Sequence, residues 1–364
     1  MTKLILTTIL TLSSSIAAIH AECTHAGNFE EGDCYLYCHM SGSGEWTAYA
    51  VSDDGVHFED LFGGGPVFDP EEHALIEGGT RDAYICRSHD GKKFLMVTTD
   101  MCVAKSHEWW NYGINLYTSD DMLNWESVTF DFRKGPTIFS DPDATPAYTD
   151  YSTVRRVWAP QIIWNPGHTW DDGRKGGYMI YYSMLNDING EDPYDRMYCS
   201  YADEEFNTLT QPRLMFDWGY ATIDADINYV DGDGLYHMMI KKEGGQPGLF
   251  TSACESVDGV YPEPVADDYI DFEGKKKCEG VSAFRIEGED GWRIGYIEYS
   301  SKPKHYRICK ADSNMRNFHD PADIIGVESP QHGSFMRITR DEYNRLKQAS
   351  EEYRLSGKIG KTLN

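Results

Sequence analysis

The chain has 364 residues, 40% of them apolar and 13% aromatic, enough for one large all-β domain or two average ones. Its 59 acidic side chains outnumber 33 basic ones and leave a formal charge of −26. Such a surface repels nucleic acid and anionic membranes and suits a neutral partner.

Residues 1–21 read as a secretory signal, with a charged start at Lys3, an apolar run from Leu4 to Leu12 and small residues Ala17, Ala18 and Ala21 for cleavage. A secreted or periplasmic location follows, with residues 22–364 as a single domain. No later apolar run is long enough to span a membrane. The cysteine count of 9 is odd, without a CxxC, and spacing assigns no pairing.

A repeat begins at once. "DCYLYCHM" (33–40) and "WTAYAVSDDGVHFEDL" (46–61) are two strands with a closing turn. Fuller copies follow, each with an Asp-Gly turn before an aromatic strand: "HDGKKFLMVTT" (89–99), "DDGRKGGYMIYYS" (171–183), "DGDGLYHMMIK" (231–241) and "GEDGWRIGYIEYS" (288–300). A further strand comes after each, in 113–128, 195–210, 247–264 and 305–320. Five small antiparallel units predict an all-β five-bladed β-propeller. The first unit lacks one strand, and "HGSFMRIT" (332–339) is the expected donor, closing the ring. Residues 341–355 read as a short surface helix followed by a basic tail.

The inner strands of the units start with "RDAYI" (81–85), "WAPQI" (158–162), "IDADI" (223–227), "CEGVSAF" (278–284) and "HGSFM" (332–336). A propeller would aim those starts at one central funnel, bringing Asp82, Trp158, Asp224, Glu279 and His332 together. Crowded, partly buried carboxylates have pKa values pushed apart, which is what general acid and base chemistry needs. Each residue also has a plainer reading. Asp82 beside Arg81 could form a local ion pair, Asp226 competes with Asp224 or caps a turn, and Glu279 could pair with Lys275 to Lys277. Trp158 is an aromatic platform for a ligand or packing, "HEWWNYG" (107–113) a rim or a loop packed on a blade face, and His332 a metal ligand or a partner for buried backbone. Glu243, after an inner strand, is a candidate to line the site.

Taken in order, these five starts resemble the inverting glycoside hydrolases of family 43, the arabinosidase and β-xylosidase group, over roughly residues 35–345. The resemblance implies Asp82 as the base, Asp224 as the aspartate that tunes the acid, and Glu279 as the acid. His332 then corresponds to a histidine near a channel metal; no cofactor is required, and a structural Ca²⁺ in the channel is what the family allows. Trp158, Gln161 and Glu243 are the candidate substrate contacts. Ala83 and Val281 replace prolines, and Gln161 stands where glutamate is common. The implied activity is exo-acting release of α-L-arabinofuranose, or β-xylose, from plant-type oligosaccharide or polysaccharide. The rivals are a galactoside- or fructan-acting propeller glycosidase or phosphorylase, and a non-catalytic sugar-binding propeller. No G-x-S-x-G, H-E-x-x-H, Walker or G-x-G-x-x-G motif competes.

Overall fold

A computed structural model describes residues 26–187, 193–243, 248–272, 277–300 and 304–356. The expected signal segment and the basic tail lie outside the described residues. The fold is all-β with few helices. Its strands are β1 (Cys34–Ser41), β2 (Thr47–Ser52), β3 (Phe58–Asp60), β4 (Arg81–Arg87), β5 (Phe94–Thr99), β6 (Gly113–Ser119), β7 (Glu126–Asp131), β8 (Arg156–Thr169), β9 (Lys175–Leu185) and β10 (Asp195–Ala202). They continue with β11 (Arg213–Phe216), β12 (Thr222–Val230), β13 (Leu235–Lys242), β14 (Gly248–Cys254), β15 (Cys278–Phe284), β16 (Trp292–Glu298), β17 (His305–Ala311), β18 (His319–Asp323) and β19 (Pro330–Ile338). No helix among the described residues is long and apolar enough to cross a membrane.

The sheets run β11-β10-β9-β8, β12-β13-β14 and β15-β16-β17-β18, with an eight-stranded sheet ordered β3-β2-β1-β19-β4-β5-β6-β7. In the last, β19 lies antiparallel along β1, from Cys34 opposite Ile338 to Ser41 opposite Pro330. Its link to β4 is a single parallel step, Gly333 opposite Ala83. The long sheet is therefore two antiparallel groups joined at one point. The leading strands β4, β8, β12, β15 and β19 pack each on the next, and β19 returns to β4.

The side-chain pattern explains this arrangement. Strands β1, β2, β5 and β10 are buried along their whole length, so both faces of these sheets are covered. Apolar clusters fill the spaces between successive sheets. One holds Leu116, Phe132, Ile162 and Tyr182; another holds Ile163, Tyr181, Ile227 and Met238. Between β15–β18 and the N-terminal strands, Phe335 stacks on Tyr37 at 4.6 Å and on Phe284 at 4.2 Å. Burying each such side chain is worth about 1.5–3 kcal/mol. The C-terminal helix, Arg340–Ser356, buries Leu346 against the N-terminal cluster, and its Glu342 pairs with buried Arg87.

Candidate active site

A side chain on a flat sheet points at the neighbouring sheet, not along the strand's open edge. A local break is needed to turn it. Four leading strands carry the same break. Between Arg81 and Tyr84, Trp158 and Gln161, Ile223 and Asp226, and Glu279 and Ser282, each has one residue more than its partner strand. In each, the residue after the first of these is left-handed: Asp82 at φ 54°, Ala159 at 49°, Asp224 at 55° and Gly280 at 63°. Glycine adopts this region freely and Asp tolerates it, whereas Ala159 takes it at a cost of roughly 1–2 kcal/mol. The alignment expected from sequence shifts accordingly. Asp82 and Asp224 are equivalent to Ala159 and Gly280, while Trp158 and Glu279 sit one residue earlier, level with Arg81 and Ile223.

The bulges interlock. The Ala159 N–H donates to Thr99 Oγ1 at 2.9 Å, and Thr99 Oγ1 in turn donates to Asp82 Oδ2 at 2.9 Å. The Gly280 N–H donates to Asp224 Oδ2 at 3.0 Å. His332, on β19, sets its Nδ1 3.7 Å from Asp82 Oδ1 and 3.9 Å from Asp224 Oδ1. Three strands far apart in sequence thus meet at one imidazole. Burial, then repulsion from Glu279 and Asp82, pushes the Asp224 carboxyl up to about 6, against the pull of His332 and Lys241.

Glu279 faces a different environment. Lys241 Nζ on β13 donates to Glu279 Oε2 at 2.6 Å and reaches Glu243 Oε1 at 3.0 Å. Burial opposes charge on Lys241, but Glu279, Asp224 and Glu243 outweigh it and hold the ammonium above its ordinary value. Lys275 and Lys276, one plainer partner for Glu279, lie outside the described residues, and the cation found beside it comes from another strand. Arg81 pairs with Glu45, not with its neighbour Asp82, so the local ion pair is absent. Asp226 caps no turn. It is buried and accepts from the Ala283 N–H at 3.0 Å and Asn228 Nδ2 at 2.6 Å, tying β12 to β15.

These observations decide which sequence candidates converge. Asp82, Asp224, Glu279 and His332 do, and Glu243 joins through Lys241. Trp158 lies edge-on to Trp109 at 6.3 Å with Arg156 over its ring, and its buried indole N–H has no partner among the described residues. Trp109 is 56% exposed and lies under Arg81, so the 107–113 segment forms a rim beside the site instead of packing wholly on a sheet face. Gln161 is buried, and its side-chain oxygen accepts from the Tyr181 hydroxyl at 2.7 Å inside the fold. Among the described residues no group of three His, Cys, Asp or Glu side chains is arranged to hold a metal, and His332 faces two carboxylates. Two clefts elsewhere, of about 1020 Å³ beside His73 and about 850 Å³ beside Trp170, contain none of these acids.

Residues 30–344 match the family described as a probable glycosyl hydrolase domain related to family 43. The chain belongs to that family. An α-L-arabinofuranosidase of Bifidobacterium longum subsp. longum is 27% identical over 236 residues, covering 59% of this chain and 20% of that protein. The chain therefore spans about a fifth of that curated relative. A family 43 arabinoxylan arabinofuranohydrolase from Bacillus subtilis, solved with cellotetraose, shares the fold with a TM-score of 0.51 at 14% identity, over 83% of this chain and 67% of that one.

Sequence reading of this family-43-related chain missed Thr99 and Lys241, and left the 107–113 segment open between a rim and a packed loop. Lys241 had a signal. It follows the buried run from Tyr236 to Ile240 along β13, where a lysine is out of place unless it meets an anion.

Proposed function

We propose that the protein is a secreted, inverting, exo-acting glycoside hydrolase that releases α-L-arabinofuranose, or β-xylose, from plant-type glycans. Its fold is read as a single five-bladed propeller in which β19 completes the N-terminal blade. The observation that carries the reading is the convergence of Asp82, Asp224 and Glu279, from three separate strands, around His332 and Lys241. The name of the Bifidobacterium relative supports arabinofuranose as the first sugar to test.

In this scheme Asp82 takes a proton from water as the water oxygen bonds to the anomeric carbon. The bond from that carbon to the leaving oxygen breaks, and Glu279 gives that oxygen its proton. Thr99 Oγ1 accepts from Ala159, so its own proton is directed at Asp82 and steadies the ionised base. Asp224 repels charge on Glu279 and so favours the protonated acid. These transfers use side chains alone. A calcium ion in the channel would act on the fold, and dialysis against a chelator followed by a melting measurement tests for it.

The test is release of sugar from aryl α-L-arabinofuranoside, β-xyloside and galactoside by wild type, Asp82→Asn and Glu279→Gln, with the product anomer followed by NMR. Arabinose of inverted configuration, lost in both variants, is expected. Sugar binding without release by wild type would mean a lectin, and a retained anomer would rule out the inverting scheme.

A further inference from the structure

Lys241 Nζ stands between two carboxylates, 2.6 Å from Glu279 Oε2 and 3.0 Å from Glu243 Oε1. Lys241 and Glu243 are two residues apart at the end of β13 and so lie on one side of that extended segment. The lysine side chain is 5% exposed, Glu279 26% and Glu243 40%. The cation is thus buried beneath two anions that open toward solvent. A cation at this distance stabilises negative charge on the oxygen it touches. That opposes the task assigned to Glu279, which must carry a proton to the leaving oxygen. Asp224 alone cannot resolve the conflict, because its like charge acts on Glu279 while Lys241 stays bonded to it.

We infer that Lys241 is a movable counter-charge and that Glu243 is the positioning residue that draws it off Glu279, freeing the acid to hold its proton. This rests on the acid role proposed for Glu279. Lysine suits the task, with three donors on a flexible stem that can pivot between partners without leaving its buried seat. Substrate entering over half-buried Glu279 and exposed Glu243 meets Glu279 with Lys241 turned to Glu243. The other charged or titratable groups that face this cluster are Asp224 on β12, Asp82 on β4, His332 on β19, Asp195 on β10 and Tyr299 just beyond β16. The Tyr299 ring lies 5.1 Å from Lys241 Nζ. None of these offers Lys241 a second carboxylate contact like that of Glu243.

The test is the basic limb of the kcat/KM against pH profile on an aryl arabinofuranoside, which reports the acid in the free enzyme. Glu243→Gln is expected to move that limb down by about one pH unit, because Lys241 then stays on Glu279. Lys241→Met should move it up by about as much. Glu243→Asp keeps the charge but is too short to reach the ammonium, so it should behave like Glu243→Gln. If instead Glu243→Asp leaves the limb at its wild-type position, Glu243 acts only as a distant charge and the inference falls. It also falls if Glu243→Gln shifts the limb equally in the Lys241→Met background. These outcomes are separate from the acid role itself. A Glu279→Gln enzyme with wild-type rates would overturn that role, and this inference with it.

Discussion

The two halves of the central site use the same bulged strand to opposite electrostatic ends. On one side, Asp82 and Asp224 occupy the left-handed residue itself, are hydrogen-bonded by Thr99 and the Gly280 N–H, and share a histidine. On the other, Glu279 precedes the left-handed residue, and that residue is a glycine. Its carboxylate meets a full lysine charge. One residue of offset thus separates a corner where anions are crowded from a corner where an anion is neutralised. Backbone geometry decides which acids crowd one another and which one meets a cation.

The largest effect should come from removing either end of the proposed proton path. Asp82→Asn and Glu279→Gln should each lower kcat by about 10²–10⁴-fold, measured on the aryl arabinofuranoside. A leaving group that needs no protonation should restore much of the rate to Glu279→Gln and none to Asp82→Asn. Equal rescue of both would erase the distinction between the corners.

Asp224→Asn should cost about 10²-fold in kcat yet stabilise the fold at alkaline pH. Burial raises this carboxyl to about 6, so the native state favours its neutral form. The stability it contributes is present below the unfolded value near 4 and is lost as pH rises through about 6. The amide avoids that loss. Melting curves should show Tm higher than wild type by about 2 °C or more at pH 8, with no gain at pH 4. A variant less stable at both values would contradict the crowding described for this corner.

Two smaller effects belong to the Asp82 side. His332→Gln should lower kcat/KM by about tenfold without moving the basic limb assigned to Glu279. Trp109→Ala should raise KM by about fivefold with kcat nearly unchanged, the loss of one exposed stacking surface worth about 1 kcal/mol. A shift of the basic limb in either variant would show the two corners to be coupled more tightly than the geometry suggests.

Strand order and the central acids were legible in the sequence because they depend on local signals. The Asp-Gly turns marked β9, β13 and β16, and the polar starts marked β4, β12 and β15. The one-residue offset was not legible. A bulge changes no hydrophobic pattern until partner strands are paired, and "WAP", "RDA" and "CEG" align equally well either way. The surroundings of Gln161 were hidden for a related reason: two residues past the left-handed Ala159, its side-chain oxygen meets Tyr181 inside the fold. Lys241 stood out only by its place in an apolar run, and its partner was hidden because that anion lies on a neighbouring sheet. The 107–113 segment stayed open between rim and packing because nothing in a loop sequence reports which side meets solvent.

The pairing of Cys34 with Ile338 joins segments roughly 300 residues apart, among the most distant contacts the chain makes. His332 arrives on that same late strand. During synthesis, Asp82, Asp224 and Glu279 all leave the ribosome before the imidazole that faces two of them. The nascent protein therefore carries an unfinished set of polar groups until its ends meet, and the pairing of β19 with β1 is the step that brings in the imidazole.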